Sequence, residues 1–397
     1  MVEKTVLALV LGLVALGFAG QVFVGMAPNG SLVLRPADGQ QVLVDGVAFR
    51  SLVDRLDQLE TQVKTQAQQL DEHQCMAVAD TTTITGLSVT GKWVGGVLAG
   101  NGKIYGIPYD ATSVLIIDPT TSTADTTTIT DLIGTAKWNG GVLAGNGKIY
   151  SIPWSSASVL IIDPATSTAD TTITGLSGTQ KWFGGVLAGN GKIYGIPFDS
   201  TSVLIIDPAT NTADTTTITG LSGTAKWNGA VLAGNGKIYG TPRNLGSVLI
   251  IDPIAELADT TTITGLTAAD SKWSGGVLAG NGKIYFTPYH SASVLIVDPL
   301  TNSADNTIIT GLNGEFKWHG GVLAGNGRIY CMPLHSASVL IIDPTTNTSD
   351  TTTITDVSGD YKWAGGVLAS NKKIYGIPYF SASVLIIQQA CYNVKGL

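Results

Sequence analysis

The run Lys92-Trp93-Val94-Gly95-Gly96-Val97-Leu98-Ala99-Gly100-Asn101-Gly102-Lys103-Ile104-Tyr105 decides the fold, because it returns six more times in nearly the same letters. The copies are headed by Trp93, Trp138, Trp182, Trp227, Trp273, Trp318 and Trp363, a period of 44–46 residues. Each unit contains four short runs suited to strands. Four strands per period near 45 predict a β-propeller with one four-stranded sheet per blade. The fold class is therefore all-β, a seven-bladed β-propeller over 75–397.

In the first copy the inner strand is expected at Gly95–Ala99. The Asn101-Gly102 step predicts a type I′ hairpin with positive φ at both residues. Lys103–Pro108 and Ser113–Ile117 follow as second and third strands, and the Thr-rich Thr126–Thr130 is expected at the outer rim. The glycine pairs Gly95-Gly96, Gly140-Gly141, Gly184-Gly185, Gly275-Gly276, Gly320-Gly321 and Gly365-Gly366 suit inner strands crowded round an axis, with Gly229-Ala230 in the fourth copy.

The Thr-rich motif first occurs at Asp80–Thr85, ahead of every other strand, while the last copy stops after its third strand, Val384–Ile387. The N-terminal segment is thus expected to complete the last blade and close the ring. Aligned on an intact copy, Cys75 and Cys391 fall one position apart in the third-to-fourth turn, which predicts a disulfide at the seam. Cys331, inside Ile329-Tyr330-Cys331-Met332, reads as a small buried thiol.

Ahead of the propeller, residues 1–28 form an apolar segment. It is expected to be helical and reads either as a retained membrane anchor or as a signal peptide, both placing the propeller outside the cytosol. Residues 29–47 look β-like around Ser31–Leu34 and Gln41–Val44. In 48–74, Phe49, Leu52, Leu56, Leu59, Val63, Gln66 and Leu70 alternate at spacings of three and four. This heptad seam predicts a short coiled-coil stalk helix that makes a homo-oligomer through residues 49–70, or else a helix on the propeller rim. A net charge of −7 argues against a nucleic-acid partner.

From Lys103 to Thr130 the unit resembles the YVTN/surface-layer type of seven-bladed propeller. The resemblance rests on Ile104-Tyr105-Gly106, the polar loop Tyr109-Asp110-Ala111-Thr112, Val114-Leu115-Ile116-Ile117-Asp118 and Pro119-Thr120-Thr121-Ser122-Thr123. It implies an extracellular or periplasmic protein, mostly without enzymatic activity. The Lys-Trp-x-Gly-Gly run and the Asn-Gly turn depart from that family's unit.

No catalytic set or cofactor motif stands out, and the chain is expected not to be an enzyme. His290 and His335 share a loop position in adjacent blades and His319 follows Trp318. Three histidines suit zinc, but without an accompanying carboxylate they read as exposed loop residues and no metal is expected. The recurring Asp118 and Asp125 series suits calcium or, more plainly, Asx turns. The repeated tryptophans suit sugar platforms or packing between blades.

The copies differ from one another mainly in two places. One surrounds the tryptophan, notably Phe183 and His319. The other is the loop after the second strand, with Tyr109, Asp110, Trp154, Phe198, Asp199, Arg243, Tyr289, His290, His335, Tyr379 and Phe380. Both belong to the same end of a meander blade, so variation gathers on one aromatic-rich face that is expected to bind a protein or glycan on another surface. The expected function is adhesion or assembly on a cell or virion surface, with a glycan-binding repeat lectin as the alternative.

Overall fold

The computed structural model describes residues 22–26, 32–36, 43–44, 47–48, 58–59, 61–62, 73–87 and 91–393. Two compact units are distinguished, 1–75 with 391–397, and 76–390.

Blade one pairs Trp93–Leu98, Ile104–Pro108, Leu115–Asp118 and Thr123–Asp125 as an antiparallel meander. Blades two to six repeat it from Trp138, Trp182, Trp227, Trp273 and Trp318. Blade seven orders Trp363–Leu368, Ile374–Pro378, Leu385–Asn393 and then His73–Asp80. The N-terminal strand therefore closes the ring, and Val384 N donates to Ile84 O at 3.0 Å just beside that pairing.

Apolar residues on both faces of the second and third strands explain this stacking. Ile104, Ile107, Leu115 and Ile117 are fully buried, each worth about 1.5–3 kcal/mol relative to exposure. Seven of the eight core clusters among the described residues straddle two blades, and the eighth joins Val94, Tyr289, Leu334 and Ala364 of four blades. Trp138, for example, wedges Val97, Tyr105 and Ile107 of blade one against Ile149 and Leu160 of blade two. The tryptophans are thus interblade packing, 1–4% exposed, and not sugar platforms. Cys331 is a buried thiol. At the axis, Gly95 has φ +74°, and a Cβ there would lie 3.1 Å from Gly140 Cα; the same contact runs round all seven blades at 3.0–3.6 Å.

Four details differ from expectation. The outer strand is Thr123–Asp125, not Thr126–Thr130, and the closing strand is His73–Asp80, not Asp80–Thr85. The threonines instead wrap round the aspartate that ends the strand. Asp259 Oδ1 accepts from the amides of Thr261 (2.7 Å) and Thr262 (3.1 Å) and from the Thr261 hydroxyl, while the Thr262 hydroxyl bonds Oδ2. Side-chain acceptors of this kind compete with the ladder for backbone donors. The hairpin is not type I′: Gly102 has φ +79° but Asn101 is absent from the positive-φ residues. Gly102 N donates to Ala99 O and Ala99 N to Lys103 O, a three-residue loop with a left-handed bulge residue. Asn101 is retained for another reason, since its Nδ2 donates to Tyr105 Oη (3.0 Å) and to Pro164 O of the next blade (3.2 Å).

The fourth difference lies in the N-terminal unit. Val22–Met26, the end of the expected apolar helix, is a strand paired with Leu32–Pro36. Leu43–Val44 pairs with Val47–Ala48. Of the heptad segment, Gln58, Leu59, Thr61 and Gln62 are described, in helical conformation. Residues 1–21, the rest of the stalk helix and the side chains of Cys75 and Cys391 lie outside the described residues, although the strands carrying the two cysteines are sheet neighbours. Among the described residues no helix is long and apolar enough to cross a membrane.

Two predictions follow from these turns. Lys372 occupies the Gly102 position of blade seven at φ +65°, so Lys372→Gly removes left-handed strain and raises the urea midpoint by the equivalent of about 1 kcal/mol; an unchanged or lower midpoint contradicts the turn assignment. The Thr262 hydroxyl leads the bonds that hold Asp259 at about 2 against burial, and Thr217 does the same for Asp214, also lowered. Folded carboxyls below their unfolded value of 3.8 stabilise at higher pH and lose that stabilisation on acidification. Thermal midpoints should fall from pH 4 towards pH 2, and a flat profile there contradicts the caps.

Candidate functional site

The candidate site is built on the lysine that precedes each tryptophan. Lys92, Lys137, Lys181, Lys226, Lys272, Lys317 and Lys362 are 0–5% exposed. Their ammonium groups meet backbone carbonyls. Lys137 Nζ donates to Tyr109 O (3.0 Å), Ala111 O (2.9 Å) and Gly134 O (2.7 Å). Lys362 Nζ does the same to Leu334 O, Ser336 O and Gly359 O, and Lys92 Nζ reaches Ser381 O across the seam. Three ammonium protons match three acceptors, which makes burial of the charge tolerable. Burial pulls all seven down to about 8.

The same residues carry a backbone circle. Tyr109 N donates to Lys92 O (2.8 Å), and Lys137 N of the next blade donates to Tyr109 O (2.9 Å). The alternation continues through Trp154, Phe198, Arg243, Tyr289, Leu334 and Tyr379, and closes with Lys92 N on Tyr379 O at 3.0 Å. Variable side chains therefore hang from an invariant backbone frame, and the two variable regions lie side by side.

Over the axis these side chains form a roof. Trp154 meets Phe198 (centroids 4.6 Å) and Phe183 (5.6 Å) edge-on, and Phe183 of blade three reaches His319 of blade six at 5.7 Å. The Arg243 guanidinium lies 5.2 Å from the Phe198 ring and 5.3 Å from Tyr289, a double cation–π contact. Burial pushes the Tyr289 hydroxyl up to about 12, with Arg243 opposing it. Burial, then Arg243, holds His319 neutral at about 4. Asn228 Nδ2 donates to Ser274 Oγ at 3.0 Å. Asn228 Oδ1, Arg243 Nε and His319 Nδ1 are buried without a protein partner. The roof therefore combines ring faces with one guanidinium, and the three unpaired polar atoms lie beneath its surface.

Nearer the rim, Asp110 and Asp199 accept from the amides of Ala136 (2.6 Å) and Ala225 (2.7 Å). His290 packs on Phe316 (4.3 Å) and His335 on Tyr361 (4.1 Å). Tyr379 contacts Phe380 (4.8 Å) and Tyr109 (5.9 Å). The histidines are half-buried in ring stacks, not exposed loop residues, and the fold does not bring the three together as a ligand set. Among the described residues no group of three or more His, Cys, Asp or Glu has metal-binding geometry. Sequence reasoning passed over Phe316, Tyr361 and the lysine cage. Invariance of a lysine in a chain with only 13% charged residues was the available signal for the cage.

No protein-family model matches the chain, and no curated protein matches it by sequence. Its fold is similar to that of solved propellers. A streptogramin B lyase is 12% identical with TM-score 0.63, over 79% of this chain and 98% of that one. Virginiamycin B lyase from Staphylococcus aureus, solved as a catalytically inactive variant with quinupristin, is 10% identical with TM-score 0.65, over 79% and 99%. The extracellular domain of a hybrid two-component system assigned in B. thetaiotaomicron is 11% identical with TM-score 0.57, over 76% of this chain and 40% of that one. At these identities the likeness is one of fold. It overturns the expectation that the chain is not an enzyme: the same ring carries a lyase elsewhere, so the lack of a linear catalytic motif excludes nothing.

The cage makes a prediction. Lys226→Met removes the ammonium from Phe198 O, which keeps the Lys226 amide, and from Gly223 O, and losing these charge-assisted bonds costs about 1.5–3 kcal/mol. A loss below about 1 kcal/mol in urea unfolding contradicts the structural role of the ammonium.

Proposed function

We propose that the chain is a recognition protein working outside the cytosol, with the axial aromatic face of its propeller as the contact surface and residues 48–74 as an oligomerising stalk. One observation carries the reading: the side chains that differ among seven otherwise near-identical blades collect round one end of the axis, while the opposite end repeats the Asn–Pro bond at six of seven boundaries, including Asn371 Nδ2 on Pro119 O (3.1 Å). Drift alone has no reason to place so many rings and an arginine at drifting positions, because solvent-facing loops favour small polar residues. Phe380, 41% exposed, presents its ring to solvent. The apolar N-terminal segment and the extracellular origin of a similar propeller support the compartment. Leu59, helical and 55% exposed, is consistent with an uncovered heptad seam. The YVTN-like unit fits the same role. A glycan-binding reading draws on the ring faces of Tyr109 and Phe380, since the tryptophan series is buried.

Photo-crosslinking in the native setting tests the surface. p-Benzoylphenylalanine replacing Phe380 should give adducts with a partner, and the same probe replacing Lys103, on the opposite face, should give none. Adducts from Lys103 with none from Phe380 would reject the assignment of the face.

A further inference from the structure

The seven-fold rule breaks along one arc of this face. Two residues before the buried lysine, blades one to four carry Thr90, Thr135, Thr179 and Thr224, whereas blades five to seven carry Asp270, Glu315 and Asp360. The residue between is left-handed in every blade, φ +48° to +63°, and is Gly91, Ala136, Gln180, Ala225 and Ser271 in the first five. Blades six and seven place Phe316 and Tyr361 there, at φ +51° and +49°, a conformation costly for bulky side chains. The loop position facing it changes as well. Asp110, Ser155, Asp199 and Asn244 accept a hydrogen bond from the left-handed residue's amide in the following blade. His290, His335 and Phe380 replace these polar caps with rings.

Lost caps and strained aromatics in consecutive blades point to function in place of stability. The result is one continuous belt of rings, His290, Phe316, His335, Tyr361, Phe380 and Tyr379, each within 5.5 Å of the next by centroid. Along it stand three exposed carboxylates, with the Asp360 side chain 79% exposed. A cleft of about 280 Å³ is lined by Asp270 and His290, and one of about 370 Å³ by Glu315 and His335. The positive charges in contact with these clefts, Lys272 and Lys317, are buried and bonded to backbone carbonyls.

We propose that this arc binds a basic segment of a partner protein, with guanidinium or ammonium groups stacked on the belt and paired with Asp270, Glu315 and Asp360. The proposal rests on the reading of this face as a recognition surface and supplies the chemistry of the partner.

The test uses the full chain and a fluorescein-labelled hexa-arginine peptide, followed by anisotropy at low and physiological salt. Asp270→Asn with Glu315→Gln and Asp360→Asn should weaken binding roughly tenfold or more. Phe316→Ser with Tyr361→Ala, which installs residues that sister blades already carry at this position, should also weaken it roughly tenfold while keeping every charge. Neutralising Asp118, Asp163 and Asp298 on the opposite face should leave binding unchanged. The proposal is overturned if the native chain ignores the peptide, if the ring-less variant binds as well as the native chain, or if the opposite-face control loses as much. Binding of hexaglutamate or of arrayed glycans in place of hexa-arginine overturns the basic partner yet leaves the face standing, whereas failure of crosslinking at Phe380 removes the face itself.

Discussion

An ammonium group shut into the boundary between neighbouring blades and hydrogen-bonded to backbone carbonyls is the interaction on which the remaining architecture rests. It cannot be satisfied within its own blade: Lys137 takes Tyr109 O and Ala111 O from the blade before it. The loop after each second strand is thereby pinned at its start, and the backbone bonds between lysine and loop run round the whole face. Because the frame is made of main chain and an invariant lysine, it is released from dependence on which side chain each loop carries. That release is the physical basis for a face that varies from blade to blade without loss of the ring.

The other face works by different means. Asn101 and five of its counterparts tie their hairpins to a proline carbonyl of the next blade, and lysine–aspartate pairs such as Lys148–Asp163 at 3.4 Å sit on the surface, where they contribute little. Between the faces, the glycine contacts fix how closely seven inner strands approach. Stability in such an array is close to a sum of blade and boundary terms. A weak local choice, such as Phe316 at positive φ, is therefore carried by its neighbours.

Much of this was readable in the residues. The period, the doubled glycines and the orphan outer strand at the start of the chain fixed blade number and closure, because each follows from geometry that recurs seven times. The Thr-rich run misled: β-branched residues suggest a strand, but an aspartate just ahead of two threonines offers their amides and hydroxyls a nearer acceptor, as at Asp259. The Asn-Gly step misled similarly, since Asn101 serves Tyr105 and Pro164 and leaves positive φ to Gly102 alone. The buried lysines were hidden because a charged residue before tryptophan ordinarily reads as surface, and a cage of backbone carbonyls has no side-chain signature. Phe316 and Tyr361 were hidden because an aromatic at a left-handed position is legible only once the backbone is known.

Hydrogen exchange at the seven lysine amides tests the closed frame most directly. If the lysine–loop bonds form one uninterrupted circle, Lys92, whose amide crosses the seam to Tyr379 O, exchanges as slowly as Lys137, Lys181, Lys226, Lys272, Lys317 and Lys362. Rapid exchange at Lys92 beside six protected amides would show an open ring, and with it a recognition face that lacks its foundation.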